Sequence, residues 1–455
     1  MDDAYIVTHN VQVMRNGGND PNFVGAPVLS GTTSIVHLVL IYIPSIFTSP
    51  LFAQYLISCL AVILYALGII GLSLNRGLSR IQAALVTVLG LIAAEVPHQL
   101  LNGLETGLAM GALVWFLVFV SESRKAWIVS LLCGLLPFVR PELAVVSVVV
   151  FVRRIWIVWN QKDSMMGFFK EVRSSVVFLA LGSIPWAMAY FFSMGSPYPT
   201  TISAKKYFFA EFAYETVPAA VALVFRGLAT FLYKVGFLSV ILAFFNRSFV
   251  GRMGILFLLV FLAAYLQLPG GLWHYEMRYL YVFIPIILSV LIHSLRDPSD
   301  RVRKWARIIL VIALIQSFYM LPARMKAHLM GCQFTLVELG GVSTWCKDNI
   351  PDTALILVHD IGYISFATNY RMLDMVGLKS VESRALHKKY TYPSGGRNRA
   401  KAIHEMLLKY RPEYWIVLNG WNRVFRLTEG VKQYGWDLKL ARSDGFYEVY
   451  RIGRR

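Results

Sequence analysis

The sequence has few charged residues, and this shortage excludes most soluble proteins. Asp, Glu, Lys and Arg together make up 15% of the 455 residues, whereas a soluble domain usually contains about a quarter. Hydrophobic residues make up 56%, and the mean hydropathy is +0.55. Such a composition indicates a polytopic membrane protein.

Cysteine is also scarce. Four cysteines are too few for a disulfide scaffold. Cys59 and Cys133 fall inside apolar runs, where they are interpreted as small hydrophobic residues. Cys332 and Cys346 follow the last apolar run, so they could form a disulfide if that part of the chain lies outside; the alternative is two free buried thiols.

Several motifs are missing as well. The histidines form no HxxxH or HExxH pattern, and there is no nucleotide-binding G-x-x-x-x-G-K-[ST] loop. No metal site is therefore assigned. The net charge of +18 does not predict nucleic-acid binding, because the Lys and Arg residues recur in short loops between apolar runs instead of clustering.

Apolar runs predict about ten spans across roughly 30 Å of hydrocarbon. They lie near 51–73, 81–96, 105–120, 126–139, 143–159, 174–192, 227–245, 253–268, 279–294 and 308–321. The loops 74–80, 121–126, 153–173, 246–252 and 295–307 hold sixteen Lys and Arg residues, against four in the opposite loops. This asymmetry places the amino terminus outside, provided that the run 32–46 is a surface helix and not a span.

Three regions follow from this topology. Residues 1–50 form a first outer loop with a juxtamembrane helix, 51–321 form the transmembrane bundle, and 322–455 form a soluble outer α/β domain, because charge and strand-like alternation return there. An outside amino terminus without a preceding apolar run has two explanations: the short polar tail is translocated, or a transmembrane helix lies upstream of Met1. We expect the second.

Ionisable residues gather at the predicted outer face. Such groups are costly near hydrocarbon and often mark functional cavities. Carboxylates beside cations would suit a substrate with a hydroxyl to activate and a phosphate to hold. Each residue also has a structural interpretation, such as a helix-end charge, a turn or a snorkelling lysine. The candidates are Asp2, Asp3, Glu105, Arg140, Glu142, Lys205, Lys206, His274, Tyr275 and Arg278.

The order of these motifs resembles a known family. DDAYI, GLET, RPEL, GSPYPTTISAKK, MRYLYVFIP, VHDIGYISF and LDMVGL follow one another as in the bacterial GT-C glycosyltransferases. They are most similar to the branch containing the mycobacterial terminal arabinofuranosyltransferase. DDA, GLET and RPE are short, so the specificity lies in their order and in their placement at the outer face.

The resemblance implies an inverting enzyme in the bacterial inner membrane. It would transfer a sugar from a polyprenyl-phosphate donor to a cell-envelope glycan or other acceptor on the extracytoplasmic face. Asp2 would be the catalytic base, with Asp3 beside it. The chemistry of the cations suits Arg278, Lys205 and Lys206 to holding the donor phosphate. Asp360 is a candidate contact for the acceptor; the alternative is that HDIG forms a buried structural turn. A role for a divalent cation stays open.

Two other functions compete with transfer. A transporter or lipid-linked sugar flippase would also carry ionisable groups near its spans, although transporters often show internal repeats and this sequence has none. A non-catalytic membrane scaffold that binds glycan is the second alternative. Loss of transfer on replacing single acids would separate an enzyme from both.

Overall fold

The computed structural model describes residues 1–122, 126–161, 164–213, 216–267, 272–273 and 276–454. Most of the chain is helical. The first ten helices are α1 Asp2–Arg15, α2 Ile35–Ser45, α3 Pro50–Asn75, α4 Arg80–Ile92, α5 Val96–Leu101, α6 Thr106–Glu122, α7 Ala126–Val139, α8 Ala144–Gln161, α9 Met165–Met194 and α10 Thr201–Phe208.

The second half contains ten more helices and all five strands of the described residues. The helices are α11 Val217–Val235, α12 Phe249–Tyr265, α13 Ile284–Ser294, α14 Asp300–Phe334, α15 Gly340–Asn349, α16 Gly362–Ala367, α17 Val381–Leu386, α18 Arg399–Tyr410, α19 Asn419–Phe425 and α20 Leu427–Lys432. The strands are β1 Leu355–Val358, β2 Arg371–Asp374, β3 Tyr414–Leu418, β4 Trp436–Arg442 and β5 Tyr447–Arg454. Short 3-10 and π-helical segments connect several of them, notably Gly236–Arg247 and Arg278–Phe283.

Among the described residues, four helical segments are long and apolar enough to cross a membrane. They are Pro50–Asn75, Met165–Met194, Val217–Arg247 and Asp300–Asn349. Six shorter apolar helices accompany them: Ile35–Ser45, Arg80–Ile92, Thr106–Ser121, Ala126–Val139, Phe249–Tyr265 and Arg278–Ser294. The chain is therefore a helical membrane protein by length and composition, while the predicted total of about ten spans and their orientation stay predictions.

Local sequence signals explain where several helices begin. Ser34, Ser49 and Ser79 each accept a hydrogen bond from a backbone N–H in the first turn of the helix that follows. At α4 this cap is reciprocal, because the Gln82 side chain accepts a hydrogen bond from the Ser79 backbone N–H. The segment 32–46, predicted as a juxtamembrane helix, contains the eleven-residue α2.

The carboxyl-terminal strands form one mixed sheet in the order β2-β1-β3-β5-β4. β1 pairs in parallel with β2 and β3, whereas β5 pairs antiparallel with β3 and β4. Four of these strands match the sequence prediction; β4 was not predicted. The boundary predicted between residues 321 and 322 falls inside α14, which continues to Phe334.

The amino-terminal segment and the sheet domain share a hydrophobic core. Ile6 and Phe23 are buried in the same cluster as the strand residues, and so is Phe208 of α10. Arg399 reinforces this contact, because its Nε and Nη2 donate to the Phe208 carbonyl oxygen at 3.2 and 2.6 Å. The core thus fixes the amino end of α1 and α10 against one side of the sheet domain. All four cysteines are free thiols, Cys332 and Cys346 included.

Candidate active site

Asp2 joins the amino end of α1 to the sheet domain. One carboxylate oxygen accepts a hydrogen bond from the Gly362 N–H at 3.0 Å and the other from the Tyr363 N–H at 2.6 Å. Burial and the nearby charge of Asp360 nevertheless raise the pKa of Asp2 to about 7, although both hydrogen bonds act in the opposite direction. Both oxygens of this carboxylate therefore face the domain and not the membrane bundle.

Asp3 faces a different set of partners. Its Oδ2 lies 3.4 Å from a guanidinium nitrogen of Arg278 and 3.5 Å from the Lys205 Nζ. Arg278 stands at the start of the apolar segment that contains α13, and Lys205 belongs to α10. Elements far apart in the sequence thus bring two cations to the Asp3 carboxylate, whose side chain is 20% exposed.

A second layer of charge is buried behind Asp3. Arg140 is fully buried, donates from Nη1 to the Thr106 hydroxyl at 2.6 Å, and donates from Nε to Glu142 at 3.2 Å. Glu105 is 4% exposed, and its Oε1 has no hydrogen-bond partner among the described residues. The Tyr279 ring lies close to the guanidinium of Arg140, 5.1 Å from its centroid. Leaving a buried carboxylate oxygen unsatisfied is costly, so Glu105 is a candidate ligand group.

Asp3 and Glu105 share the lining of a cavity of about 20 Å³. Its lining includes Asp3, Glu105, Thr201, Lys205 and Arg278. Such a space is close to the minimum that holds one water molecule. A sugar could therefore not occupy this cavity without displacement of its lining side chains.

The structure brings only part of the predicted set into this cavity. Lys206 points elsewhere, because its Nζ donates to Gln267 at 3.3 Å and lies 5.5 Å from the Tyr392 ring centroid. Asp360 follows β1 and accepts a hydrogen bond from the Tyr447 hydroxyl at 2.5 Å. His274 and Tyr275 lie outside the described residues. The functional roles assigned to all these residues stay predictions.

A buried polar network that was not predicted lies further along α1. The Lys379 Nζ lies 2.8 Å from the His9 Nδ1 and 2.9 Å from an Asp20 carboxylate oxygen, and all three side chains are nearly inaccessible. Asn22 adds backbone contacts, because its side-chain amide donates to the Thr368 and Tyr370 carbonyls at 2.8 and 2.9 Å. Burial and the Lys379 charge lower the pKa of His9 to about 4, so the ring is neutral at physiological pH. The network therefore adds a second attachment of α1 to the sheet domain.

No group of three or more His, Cys, Asp or Glu side chains in the described part of the chain is arranged to hold a metal ion. Lys205 and Arg278 are the cationic side chains among the described residues that line the cavity.

The fold and this site define a class: a helical membrane protein whose carboxyl-terminal mixed-sheet domain packs against an acidic amino-terminal helix. Residues 330–450 match a family described as Domain of unknown function (DUF8728). A search of curated proteins found no match.

Two solved structures are similar over 99% of this chain. One is ArnT from Cupriavidus metallidurans in the apo state, with 13% identity, 93% of that chain covered and a TM-score of 0.46. The other is the Archaeoglobus fulgidus oligosaccharyltransferase tethered to an acceptor peptide that contains the NVT sequon, with 13% identity, 70% of that chain covered and a TM-score of 0.48.

Proposed function

We propose that this protein is a membrane glycosyltransferase of the GT-C type that takes a sugar from a polyprenyl-phosphate donor and inverts the anomeric centre. One observation carries the proposal: the Asp3 carboxylate lies within 3.5 Å of both Arg278 and Lys205 at a small cavity. A base for an acceptor hydroxyl and cations for a departing phosphate are thus adjacent.

The transfer step uses these groups in fixed roles. Asp3 accepts the proton of the acceptor hydroxyl while the hydroxyl oxygen attacks the anomeric carbon. The bond from that carbon to the phosphate oxygen breaks, and the lipid phosphate leaves with the electron pair. Arg278 and Lys205 stabilise the charge that develops on the phosphate.

Competition for the same cations explains how the base becomes available. Without substrate, Asp3 is paired with Arg278 and Lys205. A donor phosphate is an alternative anionic partner for both side chains, so its arrival releases the carboxylate toward the acceptor. Asp2 is less suited to the role, because both of its oxygens accept hydrogen bonds from the sheet domain. We therefore assign proton transfer to Asp3 and positioning of α1 to Asp2.

The resemblance in motif order extends the proposal to the substrates. It favours a furanose donor of the arabinofuranosyltransferase branch and a cell-envelope glycan as acceptor, both at the extracytoplasmic face of the inner membrane. Whether a divalent cation assists is a separate question, which addition of a chelator to the assay below would answer.

Transfer by the purified protein in detergent tests the proposal directly. Detergent micelles do not separate two compartments, so neither a flippase nor a binding scaffold would form a transfer product there. The wild type should transfer radiolabelled sugar from a polyprenyl-phosphate donor, and Asp3→Asn should lose at least about 100-fold of the rate, in line with removal of a general base. Asp352→Asn, an exposed acid in the sheet domain, is the matched control and should keep wild-type activity.

A deletion strain identifies the donor sugar and tests the assigned base in cells. The sugar that disappears from the surface glycan on deletion names the donor to use. Wild type and Asp352→Asn should restore that sugar, and Asp3→Asn should not at equal membrane abundance. Full restoration by Asp3→Asn would refute the assigned base, and restoration without any transfer in detergent would favour the flippase.

A further inference from the structure

A second and larger cavity lies at the far end of the helix bundle. It has a volume of about 610 Å³ and is lined by the ends of α3, α6, α7, α8, α9, α12 and α13. Gln54 of α3 contacts the Ala4 and Gly103 carbonyls beside the candidate active site, and Arg76 of the same helix end lines the second cavity. Gln54 and Arg76 are 22 positions apart, so a rise of 1.5 Å per residue separates them by about 33 Å along the helix.

This cavity collects the cation-rich loops. Four of the five loops that the charge asymmetry predicts on one side of the membrane contribute lining residues, namely 74–80, 121–126, 153–173 and 246–252. Among the described residues, Arg76, Arg153 and Arg154 line the cavity, against one acid, Glu171. Loops that the charge asymmetry predicts on the same side of the membrane therefore line the same cavity.

Glu171 is already paired with Arg154. Arg154 donates from Nη2 to Glu171 at 2.7 Å and from Nε to Ser175 at 3.2 Å. Arg153 lies over the Phe249 ring, 3.8 Å from its centroid, an arrangement that orients the guanidinium and leaves its charge uncompensated by that partner. Arg76 and Arg153 thus give the cavity a positive surplus over its lining acid.

Two further features suit a phosphate with lipid chains. Ser248, Phe249 and Val250 place the first turn of the seventeen-residue α12 at the cavity, where the helix dipole favours an anion. The remaining walls are largely apolar, and Trp156 and Trp159 of α8 are exposed close by, as is usual for aromatic side chains at a membrane interface. A cation-lined head site beside apolar walls matches an anionic lipid.

We propose that this cavity binds the phosphate headgroup of an anionic membrane phospholipid, with Arg76 and Arg153 as the recognising side chains. The site is independent of glycosyl transfer, because it lies at the opposite end of α3 from Asp3. A free inorganic phosphate has the same charged group, so the experiment has to distinguish the two sources.

Isothermal titration calorimetry of the full chain in a neutral detergent tests the site. The probes are short-chain phosphatidylglycerol, phosphatidylcholine and inorganic phosphate. Phosphatidylglycerol should bind the wild type more tightly than either of the others. The Arg76→Gln/Arg153→Gln double variant should bind it roughly thirtyfold more weakly, because each basic residue at a membrane surface contributes about 1 kcal/mol toward an anionic lipid.

Matched variants keep the result interpretable. Arg301→Gln/Arg307→Gln removes two exposed arginines of α14 that do not line the cavity and should leave binding unchanged. Arg153→Lys keeps the charge and should retain most of the affinity. Equal binding of phosphatidylglycerol to wild type and to the double variant would overturn the proposal. Equal binding of phosphatidylcholine would also overturn it, as would inorganic phosphate binding as tightly as the lipid.

Discussion

A methyl group added at Gly362 would test how closely the amino end of α1 must approach the sheet domain. A Cβ at this position would lie 2.7 Å from the Asp2 carbonyl carbon and 2.9 Å from its Oδ1, and closer still to the carbonyl oxygen. Two of these three atoms belong to the backbone, so a side-chain rotation cannot relieve the overlap. In Gly362→Ala the first turn of α1 must therefore retreat from α16.

The size of that movement sets the expected effect. Relieving the overlap needs a displacement on the order of 1 Å, and a displacement of that size at a catalytic group can cost about 100-fold in rate. Overpacking itself usually destabilises by about 1–3 kcal/mol. We expect Gly362→Ala to remain folded while its sugar-transfer rate in detergent falls by about two orders of magnitude.

Gly420→Ala is the matched control for this experiment. Gly420 also lies in a short helix of the sheet domain, but a Cβ there meets nothing within 4 Å. It should transfer at the wild-type rate, with an unchanged melting temperature. If Gly362→Ala kept the wild-type rate as well, contact between α1 and α16 would not position the acids, and the assigned role of Asp2 would be wrong.

Three further predictions concern the attachments between α1, α10 and the sheet domain. The pKa of Asp2 is raised from 3.8 to about 7, so the folded state binds the proton more tightly than the unfolded state. The melting temperature of wild type should therefore fall as the pH rises from about 4 to 7. The melting temperature of Asp2→Asn should not show this fall. Lys379→Met leaves the buried Asp20 carboxylate without its cation and should lower the free energy of unfolding by about 3–5 kcal/mol in a denaturation assay. Lys439→Met, which removes an exposed ion pair, should lower it by at most about 1 kcal/mol. Arg399→Lys loses the forked contact with α10 and should destabilise by about 1.5–3 kcal/mol, measured as a lower melting temperature than that of wild type.

Local patterns in the sequence were sufficient for most of the helices. A long apolar run must satisfy its own backbone hydrogen bonds, so hydropathy alone indicates the helices that contain residues 51–73, 174–192 and 308–321. The parallel strands were also visible as short apolar runs. β4 was not predicted. Its first five residues, WDLKL, alternate between apolar and polar. The strand lies at the edge of the sheet, however, and buries only part of its side chains, so its sequence resembles that of an exposed segment.

The contacts that attach α1 to the sheet domain were not predictable in the same way. Asp20 and Lys379 are 359 positions apart, and each resembles an ordinary surface residue in its own segment. His9 lies in a polar stretch and gives no sign that its ring is buried. Pairing of such residues depends on how the amino-terminal segment docks on the sheet domain, and a single sequence contains no signal for that docking.

The two adjacent acids show how a short helix can separate roles that the sequence leaves equivalent. Successive residues of an α-helix project about 100° apart. Asp2 consequently faces Gly362 and Tyr363 while Asp3 faces Arg278 and Lys205. Because one rigid turn carries both side chains, any shift of the sheet domain that displaces Asp2 also displaces the proposed base relative to its cations. Under the proposed mechanism, the sheet domain would be coupled to sugar transfer without contributing a side chain to the proton transfer. A variant at its contact with α1 should therefore affect the rate of transfer more than donor affinity.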